Sequence, residues 1–310
     1  MSQGPLSLTP RVVVLLTLPP LLWAGNAVVG RLMVGQVPPL TLNFLRWLFA
    51  ALILLVIAQA SLRPWRRSVQ QVRQRWRYLL PLGLLGVGLY NALQYAALVT
   101  STPINVTLVA ASTPVWMLAV GALFFDERPR RAQLLGAALG LTGVVLVLGR
   151  GSWQTLAQVQ FVVGDLLILF AAMGWAFYSW LLAKPPPSMR GEDRPAWDWA
   201  SFLFVQTVFG LGAAALFAGG EQALGASAIQ WSWGIAAALT FLVLGPSILA
   251  YRCWGLGVAQ GGPTLAAFFA NLTPLFAALL STALLGETPQ PFHAAAFVLI
   301  VAGIVVSTRN

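Results

Sequence analysis

The sequence predicts an all-α membrane protein with ten transmembrane helices, arranged as two inverted five-helix repeats. Three observations lead to this prediction: the composition, the length of the apolar blocks and a repeat at a fixed spacing. Of the 310 residues, 58% are hydrophobic and only 8% are charged, whereas a soluble globular protein carries about 25% charged residues. The mean hydropathy is +0.79. So few charges cannot cover a soluble surface, and we therefore expect the chain to lie in a lipid bilayer.

Ten apolar blocks are long enough, or nearly long enough, to cross a bilayer, which takes about 20 residues of α-helix. These predicted spans 1 to 10 are, in order, Val12–Leu32, Leu40–Ala60, Tyr78–Leu98, Ile104–Phe124, Ala132–Leu148, Gly164–Ala183, Trp199–Phe217, Trp233–Cys253, Thr264–Leu284 and Phe292–Val306. Spans 5 and 10 are the shortest, so we expect them to stand most upright in the bilayer. The N-terminus lacks the features of a signal peptide, and span 1 is therefore expected to be retained.

The basic residues predict which side of the membrane each loop occupies. If the N-terminus is cytoplasmic, 15 of the 18 cations fall in cytoplasmic segments, Arg31 and Arg150 fall outside, and Arg46 lies within span 2. Such an excess of cytoplasmic arginine is the positive-inside pattern, so we expect both termini to face the cytoplasm of a bacterial inner membrane. The same arginines explain the net charge of +10. No nucleic-acid partner is expected, because a nucleic-acid binder needs a basic face on a folded domain.

An internal repeat divides the chain. A shift of 160 residues superposes one long segment on another without gaps, so that spans 3–5 repeat as spans 8–10, and a weaker match places Trp23-Ala24 on Trp175-Ala176. The identities are Pro103/Pro263, Ala110/Ala270, Thr113/Thr273, Pro114/Pro274, Glu127/Glu287, Pro129/Pro289 and Gly143/Gly303. We predict repeats over residues 12–150 and 162–307, with the Pro-rich, charged segment 184–198 as a cytoplasmic linker. Because each unit has five helices, the second copy must cross the bilayer in the opposite sense, which is the architecture of secondary transporters.

The repeat also carries a family resemblance. Ser112-Thr-Pro-Val, Phe125-Asp-Glu-Arg-Pro, Thr273-Pro-Leu-Phe and Leu285-Gly-Glu-Thr-Pro look like the motifs of an EamA domain, and the whole chain resembles the drug/metabolite transporter superfamily. That resemblance implies a central cavity lined mainly by helices 1, 3, 4, 6, 8 and 9, and export of amino acids or other small metabolites. The tryptophans among the cavity candidates resemble those of the YddG-type amino-acid exporters.

Two prolines stand at the midpoints of spans 4 and 9, Pro114 and Pro274. Each lacks an N–H and pushes away the carbonyl four residues earlier, at Ala110 and Ala270 respectively. A kink there exposes backbone polar groups at membrane depth, which is tolerated only inside protein or beside a wet cavity. The prolines are either hinges of a moving helix or static kinks, and their presence in both halves favours hinges.

Polar and aromatic residues within the spans are the candidate substrate-binding residues. They are Trp23, Asn26, Tyr90, Asn91, Gln94, Tyr95, Trp116, Trp175, Tyr178, Tyr251 and Asn271. A polar side chain in a membrane marks either a hydrogen bond between helices or the substrate path, and both stay open for each residue. Amides and backbone carbonyls suit an ammonium group, and Trp and Tyr walls suit apolar or aromatic side chains. Arg46 either snorkels outward or pairs with Asp165.

We expect a secondary transporter that works by alternating access. It is expected to export small metabolites, principally amino acids, including aromatic or hydrophobic ones. Its partners are a small-molecule substrate and the lipid bilayer, and the two repeats allow a working monomer. The chain has one cysteine, one histidine and eight carboxylates, which leaves few groups for catalysis or metal binding. We therefore expect no catalytic residue, no metal and no cofactor. The alternatives are export of sugars, nucleotide-sugars or cationic drugs, or, in another class, an integral-membrane lipid-modifying enzyme. Without an acidic residue at mid-depth, facilitated diffusion or exchange is more economical than proton coupling.

Overall fold

The computed structural model describes residues 8–33, 35–101, 103–285 and 290–309, and within these ranges the regular structure is helical, with no strand. The α-helices are α1 (Pro10–Leu32), α2 (Pro39–Leu62), α3 (Trp65–Gly83), α4 (Tyr90–Thr100), α5 (Pro103–Ala110), α6 (Thr113–Phe124), α7 (Arg131–Leu148), α8 (Trp153–Ala157), α9 (Val163–Ala183), α10 (Trp199–Ala223), α11 (Trp233–Leu242), α12 (Ala250–Ala270), α13 (Leu272–Leu285) and α14 (Pro291–Ser307). Two π-helical segments, Leu84–Leu89 and Val243–Leu249, join α3 to α4 and α11 to α12.

Six helical stretches of the described chain are long and apolar enough to cross a membrane: α1, α2, α7, α9, α10 and the continuous run from α11 to α12. An all-helical membrane fold is therefore confirmed. Predicted span 3 covers the end of α3, the π segment Leu84–Leu89 and α4, spans 4 and 9 are broken in the middle, and span 10 corresponds to the 17-residue α14. None of these four is among the six helical stretches of spanning length, so the number ten stays a prediction.

The segment before predicted span 3 is helical rather than a loop. Helix α3 begins at Trp65, and four of its five arginines are exposed while Ser68 and Tyr78 are buried. Arg75 donates from Nε to the carbonyl of Ser188 (2.9 Å) and from Nη2 to the carbonyl of Asp193 (2.8 Å). These bonds hold the predicted linker 184–198 against α3.

The breaks in the helices recur at the spacing of the sequence repeat. A shift of 160 residues moves the π segment Leu84–Leu89 onto 244–249, within the second π segment. It also moves the break between α4 and α5 onto Gly262, which interrupts α12 with a φ of +80°. Helices α2 and α10 start at equivalent residues, as do α7 and α14. The repeat therefore extends to α2 and α10, where few residues are identical.

The two prolines lie at helix starts, which differs from the expected kink within a continuous helix. Helix α5 ends at Ala110 and α6 begins at Thr113, so Pro114 occupies the first turn of α6. A proline costs little there, because the N–H groups of a first turn have no partner within the helix. The Ala110 carbonyl accepts a hydrogen bond from the Thr113 hydroxyl at 2.6 Å, and is therefore not left exposed. Pro274 has the same place in α13, after the break at Asn271. Their role as hinges stays a prediction.

Helices α2 and α10 pack antiparallel, and hydrogen bonds between equivalent positions join them at both ends. At one end the Glu221 carboxylate accepts from the backbone N–H groups of Leu40 (3.0 Å) and Thr41 (2.7 Å) and from the Thr41 hydroxyl (2.8 Å). At the other end the hydroxyls of Ser61 and Ser201 share a hydrogen bond. A shift of 160 residues places Thr41 on Ser201 and Ser61 on Glu221. The two contacts therefore join equivalent positions of the predicted repeats.

Helices α7 and α14 cross in the same antiparallel way, and glycines let their backbones approach. A Cβ on Gly136 would lie 2.6 Å from the carbonyl oxygen of Gly303, and one on Gly143 would lie 3.0 Å from the carbonyl oxygen of Ala296. These two contacts are again equivalent under the 160-residue shift. The absence of side chains at these glycines permits the close approach, as at helix crossings within membranes.

Candidate functional site

Aromatic side chains from five helices pack together between the two halves, and we call this group the aromatic cluster. Its members are Trp23 of α1, Trp47 of α2, Tyr90 of α4, Trp175 and Tyr178 of α9, and Tyr251 and Trp254 of α12. Trp175 is central. Its ring centroid lies 5.3 Å from Trp23, 5.4 Å from Tyr90, 4.9 Å from Tyr178, 5.6 Å from Tyr251 and 5.3 Å from Trp254.

Five of the seven rings are shielded from solvent, and Trp23 and Tyr90 are half-buried. Trp47 and Trp254 are fully buried, and Tyr178, Trp175 and Tyr251 are each exposed by 5% or less. The pairs of Trp23 with Trp175 and of Trp47 with Tyr251 meet edge to face, the arrangement that aromatic quadrupoles favour. The structure thus holds this site in a closed arrangement.

Hydrogen bonds fix three of the rings, and two of the acceptors lie in the π segments. The Trp23 Nε1–H donates to the carbonyl of Pro246 at 3.3 Å, and the Tyr251 hydroxyl donates to the carbonyl of Gly86. The Trp254 Nε1–H donates to the Ser179 hydroxyl at 3.2 Å. A π segment interrupts the regular ladder of helical hydrogen bonds and is frequent at functional sites. Here its carbonyls receive side-chain donors.

A buried arginine borders the cluster. Arg46 is only 3% exposed, and its guanidinium carbon lies 5.1 Å from the ring centroid of Trp47. Its Nη1 donates to Asn26 Oδ1 at 3.0 Å, while its Nε has no hydrogen-bond partner among the described residues. The alternative pairing with Asp165 is not formed, since Asp165 accepts instead from the Ser101 hydroxyl and the Val162 N–H.

Five predicted site residues belong to the cluster, namely Trp23, Tyr90, Trp175, Tyr178 and Tyr251. Asn26 adjoins it through Arg46. Asn91 is buried and Gln94 is half-buried, both on α4 beside Tyr90. Tyr95 lies on the same helix, but its side chain is outside the described part of the structure. Binding roles for all of these residues remain predictions.

Trp116 and Asn271 have contacts elsewhere. Trp116 donates from Nε1 to the Ser112 hydroxyl at 3.1 Å and packs with a separate group around Met117 and Trp180. The Asn271 side chain faces α7, where a Cβ on Gly140 would lie 3.0 Å from its Nδ2. Trp116 forms no ring pair with the cluster among the ring pairs of the described residues.

Sequence reasoning missed Trp254 and Trp47. Trp254 directly follows the predicted end of span 8, whereas α12 continues through it. The repeat gives the signal that could have found it, because the 160-residue shift pairs Gln94 with Trp254 and Asn91 with Tyr251. For Trp47 no pattern in the sequence distinguishes it from other apolar residues of span 2.

The site offers non-covalent binding groups: aromatic faces, two backbone carbonyls and one guanidinium. Among the described residues, His, Cys, Asp and Glu form no group of three or more that could hold a metal ion. The chemistry of this donor set suits a ligand that carries an apolar body and charged ends.

Comparison with known proteins finds similarity to membrane transporters along nearly the whole chain. The pattern of the EamA-like transporter family matches residues 10–149 and 162–309. An uncharacterized transporter of Archaeoglobus fulgidus is 28% identical over 96% of this chain and 96% of its own length. The aromatic amino acid exporter YddG of Ancylobacter novellus is 27% identical over 93% of each chain.

One solved structure supports the fold. It is a crystal structure of a protein that is 25% identical to this chain, superposes with a TM-score of 0.73 and covers 95% of both chains.

Proposed function

The chain belongs to the EamA-like transporter family, within the drug/metabolite transporter superfamily, and is a membrane transporter, and we propose that it exports small metabolites, principally amino acids with aromatic or hydrophobic side chains. The observation that carries the proposal is the aromatic cluster with a buried guanidinium at its edge. A relative that exports aromatic amino acids is similar along nearly the whole chain.

In this proposal the rings receive the apolar body of the substrate. Trp23, Trp175, Tyr251 and Trp254 come from three helices and present faces and edges to one another. A planar side chain that inserts among them would replace ring–ring contacts with contacts of the same kind, which are worth about 0.5–1.5 kcal/mol beyond the area they bury.

Arg46 binds the carboxylate of the substrate. A buried charge inside a membrane protein is expensive unless it is paired, and such residues are usually functional. Among the described residues Arg46 forms no ion pair, and it is held by the neutral amide of Asn26. Its unpartnered Nε leaves donor capacity for a planar anion, which a guanidinium binds with two parallel hydrogen bonds.

Alternating access is the proposed mechanism, and the internal symmetry supports it. The paired contacts of α2 with α10 and of α7 with α14 fit two repeats, 12–150 and 162–307, that cross the bilayer in opposite senses as ten spans. Such repeats can exchange conformations and so open one central site to either side. We further propose that both termini and the linker 184–198 face the cytoplasm of a bacterial inner membrane.

The alternatives fit this site less well. A nucleotide-sugar carries a pyrophosphate, which usually requires several cations, and Arg46 is the buried cation that the described structure provides. Cationic drugs would place a second positive charge beside that arginine. A lipid-modifying enzyme would need clustered acids or metal ligands, and the described residues contain no such metal-ligand group.

Reconstituted transport tests the proposal. Purified protein is incorporated into liposomes that are preloaded with an unlabelled amino acid, and uptake of the same labelled amino acid is followed. We expect saturable exchange for phenylalanine or other apolar amino acids, and none in liposomes without protein. Saturable flux of a sugar or a lipophilic cation, with none for any amino acid, would contradict the proposal and favour an alternative cargo.

A further inference from the structure

We propose that the carbonyl oxygens of Gly86 and Pro246 bind the ammonium group of the substrate, and that Tyr251 and Trp23 occupy these oxygens until the substrate displaces them. The inference rests on the proposed function, since it assumes an amino acid as substrate. It adds which atoms recognise the amine and what fills their place in the closed site.

The two carbonyls occupy equivalent places in the two repeats. Gly86 and Pro246 are separated by 160 residues in the sequence, and each lies inside one of the π segments, Leu84–Leu89 and Val243–Leu249. Irregular backbone at membrane depth is tolerated where it is buried in protein or lines a cavity. The same irregularity at the same register in both halves indicates that both segments serve one purpose.

Their present donors come from other helices and meet in the aromatic cluster. Tyr251 of α12 donates to Gly86, and Trp23 of α1 donates to Pro246. The rings of Tyr251 and Trp23 are 6.4 Å apart between centroids, and both contact Trp175. The two carbonyls are therefore bonded to neighbouring rings of the same site.

Both positions leave the carbonyl free of competing groups of their own residue. Gly86 has no side chain, and a Cβ there would lie 2.5 Å from the ring of Tyr178. Pro246 has no N–H, so the residue supplies an acceptor without a donor. Neither residue therefore has a polar side chain that could compete for its own carbonyl oxygen.

An ammonium group can replace the two neutral donors. Hydrogen bonds from a charged donor are shorter and roughly twice as strong as those from a neutral one. The faces of the surrounding Trp and Tyr rings would add cation–π attraction. Arg46 lies beyond Trp47, which itself contacts Tyr251 at 5.0 Å, so the carboxylate end of a zwitterion has a separate partner at the edge of the cluster.

The test compares three ligands of the same shape on the full-length protein in detergent. Equilibrium binding of phenylalanine, 2-phenylethylamine (no carboxylate) and 3-phenylpropionate (no ammonium) is measured for the wild type, Tyr251→Phe and Trp23→Phe. Tyr78→Phe is the matched control, because the Tyr78 hydroxyl also donates to a backbone carbonyl, that of Leu181 at 3.0 Å, but outside the π segments. Each titration is made in sodium and in potassium buffer.

Removal of the hydroxyl in Tyr251→Phe frees the Gly86 carbonyl from its competitor. We expect tighter binding of phenylalanine and 2-phenylethylamine by about 3- to 10-fold, the range of one neutral hydrogen bond. Binding of 3-phenylpropionate should not change, and Tyr78→Phe should change none of the three. Trp23→Phe should shift the amines in the same direction, and it supplies the test if Tyr251→Phe does not fold.

Three outcomes would overturn the inference. Weaker binding of the amines in both variants would mean that the hydroxyl and the indole contact the substrate themselves or only maintain the fold. An equal gain for 3-phenylpropionate would show that the carbonyls do not select the ammonium, and a gain seen only in sodium would assign them to a metal ion. If the wild type binds none of the three ligands and exchanges no amino acid, the proposed function fails first, and this inference fails with it.

Discussion

The two halves of the chain place different side chains at the same positions of their repeats. A shift of 152 residues pairs Trp23 with Trp175 and Asn26 with Tyr178, and the 160-residue shift pairs Asn91 with Tyr251 and Gln94 with Trp254. At these four pairs the first half therefore has one ring and three amides, whereas the second half has four rings. Apart from these side chains, the π segments and helix breaks are shared.

This difference shows how a symmetric scaffold can hold an asymmetric site. Three rings of the second half, those of Trp175, Tyr251 and Trp254, pack around Trp23, and the Asn26 amide of the first half binds Arg46. A substrate with an apolar body and a charged head group would meet an aromatic wall, formed by these rings, at one end. At the other end it would meet a polar wall formed by Arg46 and Asn26. The predictions below separate the chemistry of the two walls from the packing that they share.

The largest effect is expected for the centre of the aromatic wall. Trp175→Leu should raise the KM for a transported aromatic amino acid by about tenfold or more, since Trp175 contacts five other rings and one factor of ten corresponds to about 1.4 kcal/mol. Uptake into liposomes measures it.

Trp180→Leu is the matched control for this prediction. Trp180 is on the same helix and similarly buried, but it packs with Met117 outside the cluster. Both variants should lower the thermal stability, while only Trp175→Leu should change the KM. Equal changes in KM would contradict a binding role for the cluster.

The polar wall is tested by Arg46→Gln. Hydrogen bonds to charged groups contribute about 1.5–3 kcal/mol, so we expect amino-acid binding to weaken by about tenfold or more. Binding of an amine without a carboxylate should not weaken, since the variant removes a like charge, and Arg46→Lys should recover part of the loss of amino-acid binding. Arg252→Gln is the control, because that guanidinium lies over Trp199 at 4.2 Å, away from the cluster. Equal weakening for the amine would contradict carboxylate binding by Arg46.

The shared packing is tested at the crossing of α7 and α14. A methyl group at Gly136 meets the Gly303 carbonyl, and one at Gly303 meets the Gly136 carbonyl at 2.7 Å. Gly136→Ala and Gly303→Ala should each destabilise the protein by about 1–3 kcal/mol. Thermal unfolding in detergent measures the change. Gly212→Ala, where no atom lies within 4 Å, should be nearly neutral. Equal stability of all three variants would contradict the close crossing.

The smallest effects are expected at the two ends of the α2–α10 pair. Glu221→Ala removes three hydrogen bonds at the start of α2, two of them to backbone N–H groups, and should cost about 1–2 kcal/mol, like the loss of a helix cap. Ser61→Ala at the equivalent end removes one hydroxyl pair and should cost less than about 1.5 kcal/mol. The same unfolding measurement ranks the two, and a larger loss for Ser61→Ala would contradict this assignment.

Much of the fold could be predicted because membrane helices need long apolar blocks and the repeat is visible in the sequence. The π segments and the early start of α3 at Trp65 could not, since they depend on how neighbouring helices pack. The cluster was predicted in part. Trp254 was missed because the predicted span 8 ends at Cys253, before a Gly-rich stretch. The bond between Arg46 and Asn26 depends on a crossing of two helices that no local pattern determines.

The central claim is that equivalent residues of the two halves lie on opposite sides of the membrane. Arg67 and Ser227 are exposed and separated by 160 residues, and each can be replaced by cysteine in a protein that carries Cys253→Ala. A membrane-impermeant maleimide applied to intact cells should label Ser227→Cys and should reach Arg67→Cys only after the cells are permeabilised. If the reagent labels both variants, or neither, before permeabilisation, the two halves have the same orientation and the account is wrong.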